Sequence, residues 1–187
     1  DELYQGAMLD AHAAAIPAIT YGVESTGVAD TALAKMVRFA AKAISPEAEG
    51  RNPRLVLHAI APVSTAVDPT YATHVLPIKT WATAWWDSWT SHTEMSAAYV
   101  HATSTLAAAK KSVCSRVHGP ATAVAATCAM LGWSSSDARV FTDDLADKVH
   151  IALDSPVAVA AACKRSVGRW AFGRTLEELP AAKPCLG

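Results

Sequence analysis

The chain has 187 residues, 51% hydrophobic and 18% charged, with a formal net charge of −1. This balance excludes an extended disordered segment and a globally basic nucleic-acid binder, and the length suits one domain with a real core. No apolar run reaches the roughly 18–20 residues that cross a bilayer; the longest, Ala121 to Leu131, is interrupted by Thr122, Thr127 and Cys128. No transmembrane segment is therefore expected.

Residues 1–16 are alanine-rich and predict a helix that stops at Ile16-Pro17. Ala18-Ile19-Thr20-Tyr21 reads as a strand or an extended turn ended by Gly22. Asp30 is a suitable N-cap for a helix to Ile44, with Leu33, Met36, Val37, Ala40, Ala41 and Ile44 on its apolar face. Lys35, Arg38 and Lys42 fall on the other face, and Ser45-Pro46 closes the helix before a polar loop from Glu47 to Pro53. Leu55 to Ile60 is a strand or one helical turn, ended by Pro62. Asp68-Pro69 places a capping carboxylate before a proline at the first helical position, and Pro77 is expected to break or kink that helix.

The chain is organised around its tryptophans. Trp81, Trp85, Trp86 and Trp89 fall within nine residues. On a continuous helix the first, second and last share a face, while Trp86 lies about 100° from Trp85 and opens a second surface. Ser91-His92-Thr93-Glu94 is a capping box, followed by an apolar stripe of Met95, Tyr99, Ala102, Leu106, Ala109 and Val113. The expectation is a long helical hairpin with Trp81, Trp85 and Trp89 as its seam and Trp86 turned to a partner.

Gly119-Pro120 restarts a helix over Ala121–Leu131, with Gly132 as its C-cap, and Trp133 to Asp137 reads as a loop. Arg139–Thr142 and Lys148–Leu153 flank an acidic turn and predict a β-hairpin. Ser155-Pro156 caps a helix over about Val157–Phe172, with Val159, Cys163, Val167 and Trp170 inward and Lys164, Arg165 and Arg169 as a basic edge. Thr175-Leu176-Glu177-Glu178 reads as a second capping box, shortened by Pro180. The predicted fold class is mainly α: a helical bundle built on a long helical hairpin, with one small β-hairpin near residues 139–153. It forms one domain over 1–187, with segments 1–66, 67–132 and 133–187.

Candidate chemistry is sparse. Phe141-Thr142-Asp143-Asp144 has the aromatic-x-Asp-Asp form in which polymerases present carboxylates to magnesium. No earlier strand carries the further metal-binding aspartate such chemistry needs. The acidic cluster is therefore read as the tip of a solvent-exposed turn, where Asp143→Asn or Asp144→Asn would shift stability by no more than ~0.5 kcal/mol. Cys114, Cys128, Cys163 and Cys185 have no metal-ligand spacing and read as buried or free thiols. His74, His92, His101, His118 and His150 have no ligand-spaced neighbours, and no glycine-rich phosphate loop or nucleophile elbow is present. No catalytic, metal or cofactor residue is assigned and no cofactor is expected. The Trp stripe is either a buried interface or a stacking platform. The sets Lys35/Arg38/Lys42 and Lys164/Arg165/Arg169 are either solvated faces or phosphate contacts.

Several of these pieces, read in order, resemble the region after the polymerase palm in non-LTR (LINE-type) retrotransposon reverse transcriptases, most like the dinoflagellate versions. Pro17-Ala18-Ile19-Thr20-Tyr21-Gly22-Val23-Glu24 followed by Asp30–Ile44 is similar to that family's P-x-x-x-Y-G-x-E strand and its helix. Gly119-Pro120, Leu131-Gly132-Trp133, Phe141-Thr142-Asp143 and Ser155-Pro156 leading to Val167-Gly168-Arg169-Trp170 resemble landmarks downstream. In that family the catalytic Asp-Asp precedes the Tyr-Gly segment, whereas here Asp143-Asp144 follows it, so no active-site residue carries over. The resemblance implies a non-catalytic thumb-and-linker region that grips nucleic acid. The sequence reading is a non-enzymatic helical structural or interaction subunit of a larger assembly, with protein partners expected and RNA as an alternative partner through the local basic faces. Trp86, Lys35, Arg38, Lys42, Lys164, Arg165 and Arg169 are the candidate contacts. A chain beginning at Asp1 suggests processing or a fragment: an organelle if processed, the nucleus or cytoplasm if part of a retroelement protein.

Overall fold

The computed structural model describes residues 15–48, 50–60, 66–108 and 116–178. Residues 1–14 of the helix predicted over 1–16, together with Pro62, Ala109, Val113, Cys114, Pro180 and Cys185, lie outside these. Two helical turns, α1 (Ile16–Ile19) and α2 (Val23–Thr26), lead into α3 (Asp30–Ile44). A 3-10 turn (Pro46–Ala48) precedes α4 (Pro53–Ile60). Then come α5 (Pro69–Trp86), α6 (His92–Ala107), α7 (Pro120–Leu131), β1 (Val140–Thr142), β2 (Lys148–His150) and α8 (Pro156–Glu178). The mainly-α class with one small β-hairpin is what the chain adopts. Among the described residues no helix is long and apolar enough to cross a membrane.

Caps decide most boundaries. The Asp68 carboxylate accepts the Thr70 amide at 2.8 Å, with Pro69 at the first helical position. Ser91 and Glu94 satisfy each other's amides in a complete capping box. Gly119 and Gly132 flank α7 with φ values of 98° and 74°, conformations that suit glycine.

Other boundaries depart from the sequence reading. Residues 18–21 form no strand: α1 is helical, and the Thr20 hydroxyl donates to the Ile16 carbonyl at 2.7 Å. Leu55–Ile60 belongs to a full helix whose first amides, Arg54 and Leu55, bond the Asn52 carboxamide. Ala29 is the N-cap of α3, so Asp30 lies in the first turn and acts there by charge. Helix α5 runs through the buried Pro77 without a break. No second capping box starts at Thr175. This residue is inside α8, and its buried hydroxyl donates to the Ala171 carbonyl at 2.9 Å.

Packing is distributed across the central segment. Helix α5 lies along α8, and α6 lies along α7. The tryptophans connect α5 to α6: Trp81 meets Tyr99 at 6.4 Å between ring centres, and Trp85 stacks on His92 at 4.7 Å. The hairpin pairs Val140 with His150, Phe141 with Val149 and Thr142 with Lys148. Phe141 is fully buried and meets Tyr99 edge-on at 5.5 Å. A second, smaller core joins Ile16, α3, α4 and Val67 through Leu33, Val37, Ile44, Val56 and Leu57. Trp170 packs against both cores. Its ring meets the guanidinium carbons of Arg54 at 5.7 Å and Arg174 at 5.6 Å.

Candidate functional site

The tryptophan cluster divides into a buried pair and an exposed pair. Trp81 and Trp85 are buried in the larger core, whereas Trp86 is 51% and Trp89 64% exposed. The expected Trp81/Trp85/Trp89 stripe is thus corrected at its last member, because the helix ends first. Ser88 takes a left-handed φ of 52°, and the Trp89 amide bonds back to the Ala84 carbonyl at 3.0 Å while the Ser88 amide bonds Trp85. This is a Schellman closure with serine where glycine is favoured. It turns Trp89 off the seam and leaves it exposed in the junction between α5 and α6. His92 is exposed at the start of α6, where its ring covers Trp85 and its Nε2 lies 3.2 Å from the Trp85 carbonyl.

The candidate cations separate into different situations. Lys35, Arg38 and Lys42 are all exposed on α3, and Lys164 and Arg165 are exposed on α8. Arg169 is committed elsewhere. Its Nε and Nη2 each donate to the Asp144 carboxylate at 2.6 Å, a bidentate pair, and Nη2 lies 3.5 Å from Asp143. Ser166 also donates to Asp144, and Trp133 Nε1 donates to Ser166 at 2.9 Å. Asp143 is buried, and its Oδ1 accepts the amides of Leu145 and Asp147 at 2.8 and 2.9 Å. Asp144 to Asp147 form the solvent-exposed acidic turn of the sequence reading, but Asp143 is buried, and the two adjacent aspartates shape the hairpin and clamp it to α8. Hydrogen bonds from Arg169 chiefly hold the Asp144 carboxyl below its usual range, at about 2.

Two further groups are chemically quiet because of burial. His74 Nδ1 lies 2.7 Å from the Thr70 carbonyl, which can only accept, so Nδ1 carries the proton of the neutral ring. Nε2 then faces the Met130 sulfur, a weak acceptor for a second proton, and burial holds the ring's pKa below its ordinary value. Cys128 and Cys163 are free and buried, with burial pushing the Cys163 thiol up to about 12 and that of Cys128 up as well. Neither offers a nucleophilic thiolate at neutral pH. Among the described residues no three His, Cys, Asp or Glu side chains converge to hold a metal ion.

Two surface hollows carry cations. One of about 450 Å³ lies between α3 and α4 and is lined by Arg38, Phe39, Lys42 and Arg51 over Ala41, Pro53 and Val56. The other, about 400 Å³, runs between α5 and α8 past Tyr71, Val75, Lys79 and Lys164. The sequence reading missed Arg51, since only the fold brings the loop before α4 against α3. It also missed the Trp133–Ser166–Asp144–Arg169 chain, which joins residues far apart in sequence. Comparison with protein-family models, with characterised proteins and with solved structures finds no match.

Proposed function

We propose that the chain is a non-enzymatic, α-helical interaction subunit of a larger assembly, with a protein partner seated on Trp86 and Trp89. The observation that supports this reading is the division of the cluster: Trp81 and Trp85 serve the core, while Trp86 and Trp89, three residues apart where α5 ends, are both exposed. Water-facing tryptophan is unfavourable, and tryptophan is among the residues that anchor interfaces most strongly. The test is quantitative co-purification of the tagged natural protein alongside its Trp86→Ala/Trp89→Ala variant. A stoichiometric partner lost from the variant supports the reading; an unchanged set of associated proteins contradicts it.

A second reading, nucleic-acid contact of the kind implied by the resemblance to LINE-type reverse transcriptases, is supported by the exposed row of Lys35, Arg38 and Lys42. Arg169 no longer contributes to it, being paired with Asp144. Salt-dependent binding of single-stranded RNA, lost on replacing the three α3 cations, would favour this reading over the first.

A further inference from the structure

The hollow between α3 and α4 combines cationic and apolar lining. Arg38 and Arg51 line the same cavity, yet among the described residues neither pairs with a carboxylate. Arg54, Arg139, Arg169 and Arg174 each have a carboxylate partner, whereas Arg165, exposed on α8 and likewise without one among the described residues, does not line this cavity. Two guanidiniums facing one space repel each other and are relieved by an anion that both can bond, and their planar forks match phosphate oxygens. Phe39, 72% exposed, stands on the same wall, while the buried Ala41 and Val56 form an apolar floor. The cavity therefore offers cationic donors and a flat apolar surface within one space.

We propose that this cavity binds a small phosphate monoester carried on a flat, apolar body. Arg38 and Arg51 donate to the phosphate oxygens, and the body lies against Phe39 over the apolar floor. A volume of about 450 Å³ is in the range of small-molecule sites. A nucleic-acid strand instead needs a groove with cations spaced along its backbone. The site is independent of partner docking at Trp86 and Trp89.

The test is calorimetric titration of the natural protein with phenyl phosphate, inorganic phosphate and a short single-stranded oligonucleotide. The same titrations are run on Arg38→Gln/Arg51→Gln and on Phe39→Ala. All three side chains are exposed, so the variants retain the fold. Phenyl phosphate is expected to bind about tenfold or more tightly than inorganic phosphate, and the double arginine variant to weaken both by about tenfold or more. Phe39→Ala is expected to remove only the advantage of the ring. Absence of binding at millimolar concentrations, equal affinity for both anions, or affinity unmoved by the arginine changes overturns the proposal. An oligonucleotide that binds more tightly than the monoester through the same arginines also overturns it, while strengthening the nucleic-acid reading.

Discussion

The two cores are built from different materials. The larger is aromatic: Trp81, Trp85, Tyr99, Trp133 and Phe141 fill the space enclosed by α5 to α8 and the hairpin. The smaller, between α3, α4 and Val67, is aliphatic, and Phe39, the one aromatic residue of α3, faces outward into a cavity. Large rings carry more buried area per residue, so the larger core concentrates its stability in few positions. The smaller core spreads it over side chains such as Leu33, Val37, Ile44 and Leu57. The proposed anchors, Trp86 and Trp89 at one site and Arg38, Phe39 and Arg51 at the other, are exposed side chains outside these cores, although Ala41 and Val56 of the smaller core floor the cavity.

Substitutions break this comparison in order of size. Trp85→Ala is expected to cost about 3–5 kcal/mol in denaturant titration, a large part of a typical domain's stability. The indole nitrogens of Trp81 and Trp85 are buried without a hydrogen-bond partner among the described residues, so Trp85→Phe should cost less than truncation. Leu57→Ala, in the smaller core, should cost toward the low end of about 2–5 kcal/mol. Equal losses for Leu57→Ala and Trp85→Ala would show that stability is shared evenly between the cores.

The clamp between hairpin and α8 comes next. The Asp144 side chain is 23% and that of Arg169 35% exposed, so screening reduces the value of their pair. Asp144→Asn should cost about 1–2 kcal/mol at neutral pH, above the ~0.5 kcal/mol expected of an exposed turn. Its folded pKa is depressed, so this stability is complete above the ordinary carboxylate range and is lost as pH falls toward about 2. His74 acts earlier in the same titration. The buried ring resists a proton that the unfolded chain accepts near pH ~6.5, so stability begins to fall as pH drops through that value. A flat stability profile between about pH 7 and 5 would contradict the burial of a neutral His74.

What was legible in the sequence was local. The Asp68-Pro69, Ser91–Glu94 and Gly119-Pro120 signals act within a few residues, and each appears in the structure where the pattern put it. The β-hairpin was legible for the same reason, as two short runs around a turn. Signals that depend on tertiary packing misled. Thr175 and Glu178 had the spacing of a capping box, but α8 continues because Thr175 is buried and Glu178 meets Arg54 at 3.4 Å. Trp89 had the spacing of a seam residue, yet the left-handed Ser88 turned it outward. Arg169 resembled a free surface cation because its partner, Asp144, belongs to another element. The cavity at Arg38 and Arg51 had no sequence signature, since it exists only where α3 meets the approach to α4.

The smallest expected effect on stability tests the central claim most directly. The natural protein carrying Trp86→Ala/Trp89→Ala should melt within about 0.5 kcal/mol of the parent, as befits two exposed side chains. Measured by sedimentation of the native assembly, the same variant should separate from a complex that the parent joins. A variant that remains in the complex with parental affinity would contradict the account, because the exposed tryptophan pair would then be neither core nor contact.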